Sequence, residues 1–186
     1  MTYDLMNRRD NVTKHHSGVK NSLEAIDAYV GRGLSSEKAN LGLGFYVKWF
    51  KTAPGVSCAQ NPIGCKAALM EDPETGGDLG RAGAFSWHDT VPSELASSFK
   101  QALSNGVYDE TEGGHYFWDE SEEIWWSWDT PEAITKKFPR IIEKRRLGGL
   151  FAWGLGEDAE KWEHLRAATD GLRKLKDGQV RERDEL

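Results

Sequence analysis

The chain has 186 residues and a net charge of −6, with 24 lysines and arginines against 30 aspartates and glutamates. It therefore lacks the basic field that partners such as nucleic acid or anionic lipid require. Hydrophobic residues make up 38% of the chain without any run near membrane-span length, which predicts one soluble globular domain and excludes a membrane-spanning protein.

Tryptophan is frequent, with eight in the chain and several of them in polar surroundings. A flat indole face packs well against the apolar face of a sugar ring, but aromatic residues also dominate protein cores. The composition therefore favours a neutral or polar ligand such as a carbohydrate. For any single tryptophan, a sugar-binding role and a core role both stay open.

The first regular element is an amphipathic helix predicted over residues 22–30, where Leu23 and Ile26 share one face and Gly31 ends the pattern. An apolar run at residues 40–50 (NLGLGFYVKWF) then predicts a buried strand of the parallel type. A helix followed by such a strand indicates an α/β fold.

The middle of the chain, residues 51–128, is rich in glycine, proline and polar residues. It contains a predicted helix at 92–104 and a predicted hairpin made of strands 115–118 and 124–128. This change of composition between two regions of regular helix and strand is typical of an insertion. Regular alternation resumes near residue 130, where either Asp129 or Thr130 can cap a helix.

The last part of the chain is predicted to alternate between helix and strand. Pro131 suits the first turn of a helix, and Pro139 is expected to bend that helix because its ring opposes the preceding turn. A buried strand at 150–154 and a final helix at 159–175 follow. Residues 176–186 form a charged tail.

Five segments occur in order along the chain: MTYDL at 1–5, DNVTKHH at 10–16, LGLGFY at 41–46, WSWDTP at 126–131 and LGGLFAW at 147–153. Together they resemble the C-terminal part of family 18 glycoside hydrolases, the chitinases. The resemblance covers about residues 1–172. It implies an α/β fold: a partial (β/α)8 TIM barrel holding strands six to eight, with an α+β insertion between strand seven and its helix.

The resemblance also implies a division of the chain. Residues 1–50 and 129–175 would belong to the barrel, 51–128 to the insertion and 176–186 to the tail. Three strands cannot close a barrel of eight. We therefore expect an N-terminally truncated chain whose partner is the missing N-terminal half of the barrel.

Family 18 enzymes hydrolyse β-1,4 N-acetylglucosamine linkages in chitin by a substrate-assisted retaining mechanism, in which the N-acetyl group of the substrate attacks the anomeric carbon. The resemblance implies that Tyr3 and Asp4 are the catalytic pair that orients this acetamide, because a phenol donates and a carboxylate accepts hydrogen bonds. It implies no metal and no other cofactor.

The resemblance further implies four substrate-binding residues. Met1 would line the wall of the pocket, and Trp153 would form its floor by stacking under a sugar ring. Tyr46 and Lys48 would lie at the end of strand seven, where the family commonly has Y-G-R. The lysine cannot make the bidentate contact of an arginine.

Trp126 is a further substrate-binding candidate with an alternative role. It shares one hairpin face with Trp128, and this pair either rims a groove or packs the insertion. We interpret His15 and His16 as hydrogen-bonding loop residues, because the histidines of the chain show no metal-ligand spacing.

The proton donor of the family closes a D-x-x-D-x-D-x-E motif on strand four, and no segment of the sequence matches it. We therefore expect the chain alone to be inactive. Two alternatives stay open: a lectin-like protein that binds chitin or N-acetylglucosamine oligomers, and an endo-β-N-acetylglucosaminidase acting on N-glycans. The expected partners are these sugars, with no nucleic acid and no membrane.

Several features predict the secretory pathway or an extracellular location for the parent protein. Cys58 and Cys65 are too few for a zinc site and could form a small disulfide. Asn11 begins an N-x-T glycosylation triplet. The tail RDEL resembles a K-D-E-L retention signal or is a solvated charged end. The first residues do not resemble a signal peptide.

Overall fold

The computed structural model describes residues 1–184, and side-chain burial up to residue 178. Part of the RDEL tail, residues 185 and 186, therefore lies outside the described residues. The described part contains four α-helices, α1 (Val19–Val30), α2 (Ser93–Asn105), α3 (Pro131–Lys137) and α4 (Glu163–Asp184). Its seven strands are β1 (Asn40–Gly44), β2 (Val47–Lys51), β3 (Ala82–Phe85), β4 (Val107–Asp109), β5 (Gly114–Asp119), β6 (Ile124–Trp128) and β7 (Gly149–Trp153).

The strands form two sheets. β1 and β7 make a parallel pair in which Leu41 lies opposite Leu150 and Gly44 lies opposite Trp153. The other five strands form an antiparallel sheet in the order β3-β2-β6-β5-β4. Parallel strands need helical crossovers between them, and here the chain supplies α2 and α3 between β1 and β7.

The core of the parallel part lies between its two strands and its helices. Each buried aliphatic or aromatic side chain of this kind contributes roughly 1.5–3 kcal/mol. The cluster consists of Val19, Ile26, Leu41, Leu43, Phe45, Ile134, Phe138, Ile141, Ile142 and Ala168. These contacts hold α1, α3 and α4 against β1 and β7 and thereby fix the position of the carboxyl ends of these two strands.

Helix α3 begins as the sequence predicts. The Thr130 hydroxyl accepts a hydrogen bond from the backbone N–H of Ala133 at 3.1 Å, and Pro131 occupies the first turn. Pro139 lies in a π-helical turn, Phe138–Glu143, that continues α3. Proline has no N–H to donate to the regular ladder, which explains a change of helix type at this position.

The prediction of one strand over residues 40–50 is wrong. β1 ends at Gly44, and β2 leaves the parallel pair to join the antiparallel sheet between β3 and β6. Gly44 permits this turn because the ring of Tyr46 folds back within 2.8 Å of where a Cβ would lie. The division at residue 50 stays a prediction, although β2 pairs with strands of the predicted insertion.

Residues 1–5, predicted as a barrel strand, run beside β1 without forming a ladder. The Thr2 hydroxyl donates to the Gly42 carbonyl at 2.6 Å and accepts from the Gly42 N–H at 3.0 Å. The Thr2 side chain thus satisfies the N–H and the carbonyl of Gly42, which a paired strand would otherwise use. The segment is still held next to β1, which brings its polar residues to the strand ends.

The predicted hairpin is present as β5 and β6, and α2 covers one face of its sheet. Trp126 is fully buried under α2, and its Nε1–H donates to the Ser98 hydroxyl at 2.9 Å. The prediction that Trp126 contacts substrate is therefore contradicted, and the packing alternative describes it. Trp128 lies in the same buried cluster.

The final helix differs from its predicted bounds. It starts at Glu163, after a short 3-10 turn at Glu160–Trp162, and continues to Asp184. The predicted tail at 176–186 therefore begins as helix, because lysine, arginine and glutamate are good helix formers and continue the last turn. None of the helices between residues 1 and 184 has the length and apolar character needed to cross a membrane.

Candidate functional site

The candidate site is a groove of about 280 Å³ at the carboxyl ends of β1 and β7. We call it the strand-end groove and define it by its lining residues. They are Asp4, Tyr46, Lys48, Ala84, Phe85, Ser86, Asp89, Trp153 and Glu157. Active sites of α/β barrels lie at this end of the strands, where loops from several strands meet.

Asp4 is the polar centre of the strand-end groove. Its Oδ1 accepts hydrogen bonds from the Tyr46 hydroxyl at 2.9 Å and from the Lys48 ammonium at 2.7 Å. Its backbone is left-handed, with φ at +55°, which is uncommon for any residue other than glycine. Two donors from one chain segment thus hold the half-exposed carboxylate of Asp4, and the backbone of Asp4 is in an uncommon conformation.

Tyr46 keeps its proton over the whole physiological range. Burial and then the negative charge of Asp4 raise the pKa of the Tyr46 phenol far above its usual value. The phenol therefore acts as a permanent hydrogen-bond donor to Asp4. Behind it, the fully buried ring of His16 lies 5.4 Å from the Tyr46 ring.

Tyr3 lies beneath the strand-end groove and does not line it. Its side chain is buried, and its hydroxyl has no hydrogen-bond partner among the described residues. Its ring is 6.4 Å from the ring of Trp153 and 6.3 Å from that of Tyr46. Tyr3 and Asp4 are thus close to the same surface, and their catalytic roles stay predictions.

Trp153 is the last residue of β7, and 58% of its surface is exposed. An exposed indole beside polar hydrogen-bonding groups is the combination that sugar rings bind. Met1, expected in the wall, does not line the strand-end groove and is 81% exposed. The substrate-binding role of Met1 stays a prediction.

Two acidic residues of the groove were not predicted from the sequence. Glu157 follows β7 by four residues, and Asp89 comes from the loop after β3. Burial, and then the charges of Asp89 and Asp4, raise the pKa of the Glu157 carboxyl. The position of Glu157 just after a strand end was a usable signal, whereas no local pattern links Asp89 to the site.

The loop that carries Asp89 is anchored through His164. The ring of His164 lies between Phe45 and Trp87, with ring centroids 5.5 Å and 5.6 Å away. Its two nitrogens form hydrogen bonds with the Asp158 carboxylate at 2.5 Å and the Asp129 carbonyl at 2.8 Å. This buried contact fixes the insertion loop against the end of the barrel strands.

The two predicted loop histidines have different surroundings. Nε2 of His15 forms a hydrogen bond with the Asp109 carboxylate at 3.1 Å. Neither ring nitrogen of His16 has a hydrogen-bond partner within residues 1–184. Burial, and then the positive charges of Lys48 and Lys137, hold the pKa of His16 well below its usual value.

Cys58 and Cys65 form a disulfide with a Cα–Cα distance of 5.6 Å. The loop that they close is tied to the N-terminal segment, because the Thr13 hydroxyl donates to the Pro62 carbonyl at 2.6 Å. Asn11 is exposed in the same segment. The glycosylation of Asn11 stays a prediction.

The parallel strands, their helices and the inserted antiparallel sheet define a partial TIM barrel. Residues 1–158 match the family described as glycosyl hydrolases family 18, and the chain belongs to that family. It is 24% identical over 168 residues to Endochitinase 1 of Metarhizium anisopliae, covering 85% of this chain and 34% of the relative. Over 188 residues it is 24% identical to Chitinase 1 of Yersinia entomophaga, covering 94% and 34%.

Solved structures agree on the fold. A chitinase from Rhizomucor miehei superposes with a TM-score of 0.71 at 20% identity, covering 92% of this chain and 52% of that one. A plant class V chitinase from Cycas revoluta in complex with (GlcNAc)3 gives a TM-score of 0.61 at 20% identity, covering 92% and 45%. The chain spans about a third of the length of the curated relatives that it matches. The predictions of family and fold class are confirmed.

Proposed function

We propose that this chain forms part of the N-acetylglucosamine-binding surface of a family 18 glycosidase that hydrolyses β-1,4 linkages in chitin. The observation that carries the proposal is the pairing of Asp4, held by Tyr46 and Lys48, with the exposed Trp153 in one groove at the ends of parallel strands. An exposed indole beside a fixed carboxylate supports binding of a sugar that has an apolar face for stacking and an amide for hydrogen bonding.

Each groove residue has a role in this proposal that follows from its chemistry. Trp153 stacks on the apolar face of the sugar ring. Asp4 accepts the amide N–H of the acetamide, and Tyr46 and Lys48 keep its carboxylate oriented. Tyr3, whose hydroxyl is buried and without a partner among the described residues, would have to turn towards the groove to complete the pair that orients the acetamide in the substrate-assisted retaining mechanism.

Hydrolysis also needs a proton donor at the glycosidic oxygen. The sequence has no match to the acidic motif that supplies this donor in the family. We propose that the donor belongs to further barrel strands, which would also cover the exposed Phe151 on β7 and leave the face of Trp153 open to the sugar. Related proteins named endochitinase and chitinase, about three times longer than the matched region, support this assignment.

The proposal is tested by binding and hydrolysis of a fluorogenic chitin oligomer by the purified chain and by Trp153→Ala. Trp162→Ala is the matched control, because Trp162 is 51% exposed but does not line the strand-end groove. We expect binding without hydrolysis, lost in Trp153→Ala and kept in Trp162→Ala. Equal binding by all three proteins, or no binding by any, would contradict the proposal.

A second candidate is a lectin-like protein that binds chitin or N-acetylglucosamine oligomers without ever hydrolysing them. It is favoured by the combination of an intact Asp4 and Trp153 groove with a sequence that lacks the acidic motif. Supplying the remaining barrel strands in trans separates the two. Restored hydrolysis supports the glycosidase, and unchanged binding without hydrolysis supports the lectin.

The third candidate is an endo-β-N-acetylglucosaminidase acting on N-glycans, which competition between chitin oligomers and an N-glycan core would distinguish. We propose a secretory or extracellular location for the parent protein. The Cys58–Cys65 disulfide supports it, because disulfides persist in oxidising compartments. Retention in the endoplasmic reticulum through the RDEL tail remains part of this proposal.

A further inference from the structure

Glu157 differs from the other charged residues of the strand-end groove in its hydrogen bonding. Asp4 is held by Tyr46 and Lys48, and the Asp89 carboxylate accepts from the Ser86 N–H at 2.7 Å. The Glu157 side chain has no such partner among the described residues, and its Oε2 is buried. A buried polar atom without a partner costs stability unless something else satisfies it.

The backbone holds Glu157 in this position from both sides. Its N–H donates to the Gly154 carbonyl at 2.8 Å, and its carbonyl accepts from the Trp87 N–H at 3.1 Å. The carboxyl lies against Gly154, where an added Cβ would be only 2.0 Å from Oε2. A glycine with φ at +75° thus leaves room for the carboxyl beside the Trp153 platform.

We propose that Glu157 is a specificity-determining residue whose protonated carboxyl donates a hydrogen bond to an oxygen of the sugar stacked on Trp153. This inference rests on the proposed function, since it assumes that the strand-end groove binds a sugar. A carboxylic acid kept neutral is a strong donor, and a sugar offers hydroxyl, ring and amide oxygens as acceptors.

The charges that face Glu157 favour its protonated form. Asp4 approaches from the N-terminal segment and Asp89 from the loop after β3, and both raise the pKa of Glu157, after burial itself. Tyr46 carries no charge, because its own pKa is raised. Lys48 is the cation that lines the groove within the described residues, and Asp4 already binds it.

This arrangement makes sugar binding depend on pH in one direction. Below the pKa of Glu157 the donor is present, and binding is strongest. As pH rises through that pKa the carboxyl loses its proton, so the hydrogen bond is lost and a further negative charge faces Asp4 and Asp89. The midpoint lies above 4.5, the ordinary value for glutamate.

The test is the affinity of the full chain for a chitin oligomer between about pH 4.5 and pH 8. In the wild type we expect a loss of roughly fivefold across this range. Glu157→Gln carries a permanent donor, so it should bind roughly fivefold more tightly than the wild type at neutral pH and show no such loss. Asp89→Asn should move the midpoint to lower pH, because it removes one facing charge.

Glu160→Gln is the matched control, since Glu160 is exposed and does not line the groove, and it should follow the wild-type profile. Thermal unfolding checks that each variant is folded. This inference alone is overturned if binding depends on Trp153 but the affinity does not change with pH. It is also overturned if Glu157→Gln has the same affinity and pH profile as the wild type. No binding by the wild type at any pH overturns the proposed function and this inference with it.

Discussion

The Tyr46 hydroxyl donates a hydrogen bond to the Asp4 carboxylate at 2.9 Å, although 42 residues separate the two in the chain. The contact exists because β1 ends at Gly44 and the chain turns back over the strand end. It brings a permanent donor to the carboxylate at the centre of the strand-end groove. Several expected outcomes depend on this geometry.

Tyr46→Phe removes the hydroxyl and keeps the buried ring. Asp4 then loses one of its two donors, and we expect affinity for a chitin oligomer to fall by about three- to tenfold, since hydrogen bonds to charged groups are worth more than neutral ones. Titration with the oligomer measures this. The control is Tyr29→Phe at a side chain that is 65% exposed. Equal affinity in both variants would contradict the proposed role of Asp4.

Trp126→Ala and Trp153→Ala should have opposite effects. Trp126 is fully buried beneath α2, so its removal should cost about 3–5 kcal/mol of unfolding free energy. Trp153 is exposed, so its removal should change stability by less than about 1 kcal/mol while abolishing sugar binding. Urea unfolding and oligomer titration of both variants test this. A stable Trp126→Ala that has lost binding would restore Trp126 as a sugar contact.

Gly154→Ala should destabilise the strand end. The backbone at Gly154 has φ at +75°, and an added Cβ would lie 2.0 Å from Oε2 of Glu157. We expect a loss of about 1–2 kcal/mol, measured by chemical unfolding. Gly156→Ala is the control, because nothing lies within 4 Å of its added Cβ, and it should change stability by less than about 0.5 kcal/mol. Equal losses would show that the left-handed conformation is not required.

His16 should make the fold sensitive to acid. Burial, and then Lys48 and Lys137, hold its folded pKa well below the ordinary value of 6.5, so the unfolded state binds more protons below that pH. The stability that neutral His16 contributes is complete above pH 6.5. It falls as pH drops towards the folded pKa, by at most about 1.4 kcal/mol per pH unit.

The measurement is the unfolding free energy of the wild type and of His16→Phe between about pH 7 and pH 5. His16→Phe keeps a ring against Tyr46 and removes the titration, so its curve should be flatter. His88→Gln changes an exposed histidine and should follow the wild-type curve. Parallel curves for all three proteins would exclude His16 as the source of acid sensitivity.

Local patterns in the sequence were sufficient for the family and for most regular elements. The segments around Asp4 and Trp153 pointed to a family 18 barrel, and the match over residues 1–158 confirms this. The cap at Thr130 and the hairpin of β5 and β6 were also readable, because capping and strand alternation depend on neighbouring residues. The roles of Tyr3 and Asp4 remain predictions.

The sequence by itself determined the family, the α/β class and the strand end that carries Trp153, since these depend on short motifs and local periodicity. Only the tertiary structure decided that the run at 40–50 splits between two sheets and that Trp126 is buried. It also decided that Glu157 meets Asp89 in the groove. These outcomes depend on contacts between residues far apart in the chain, and no local pattern encodes which distant side chain fills a given space.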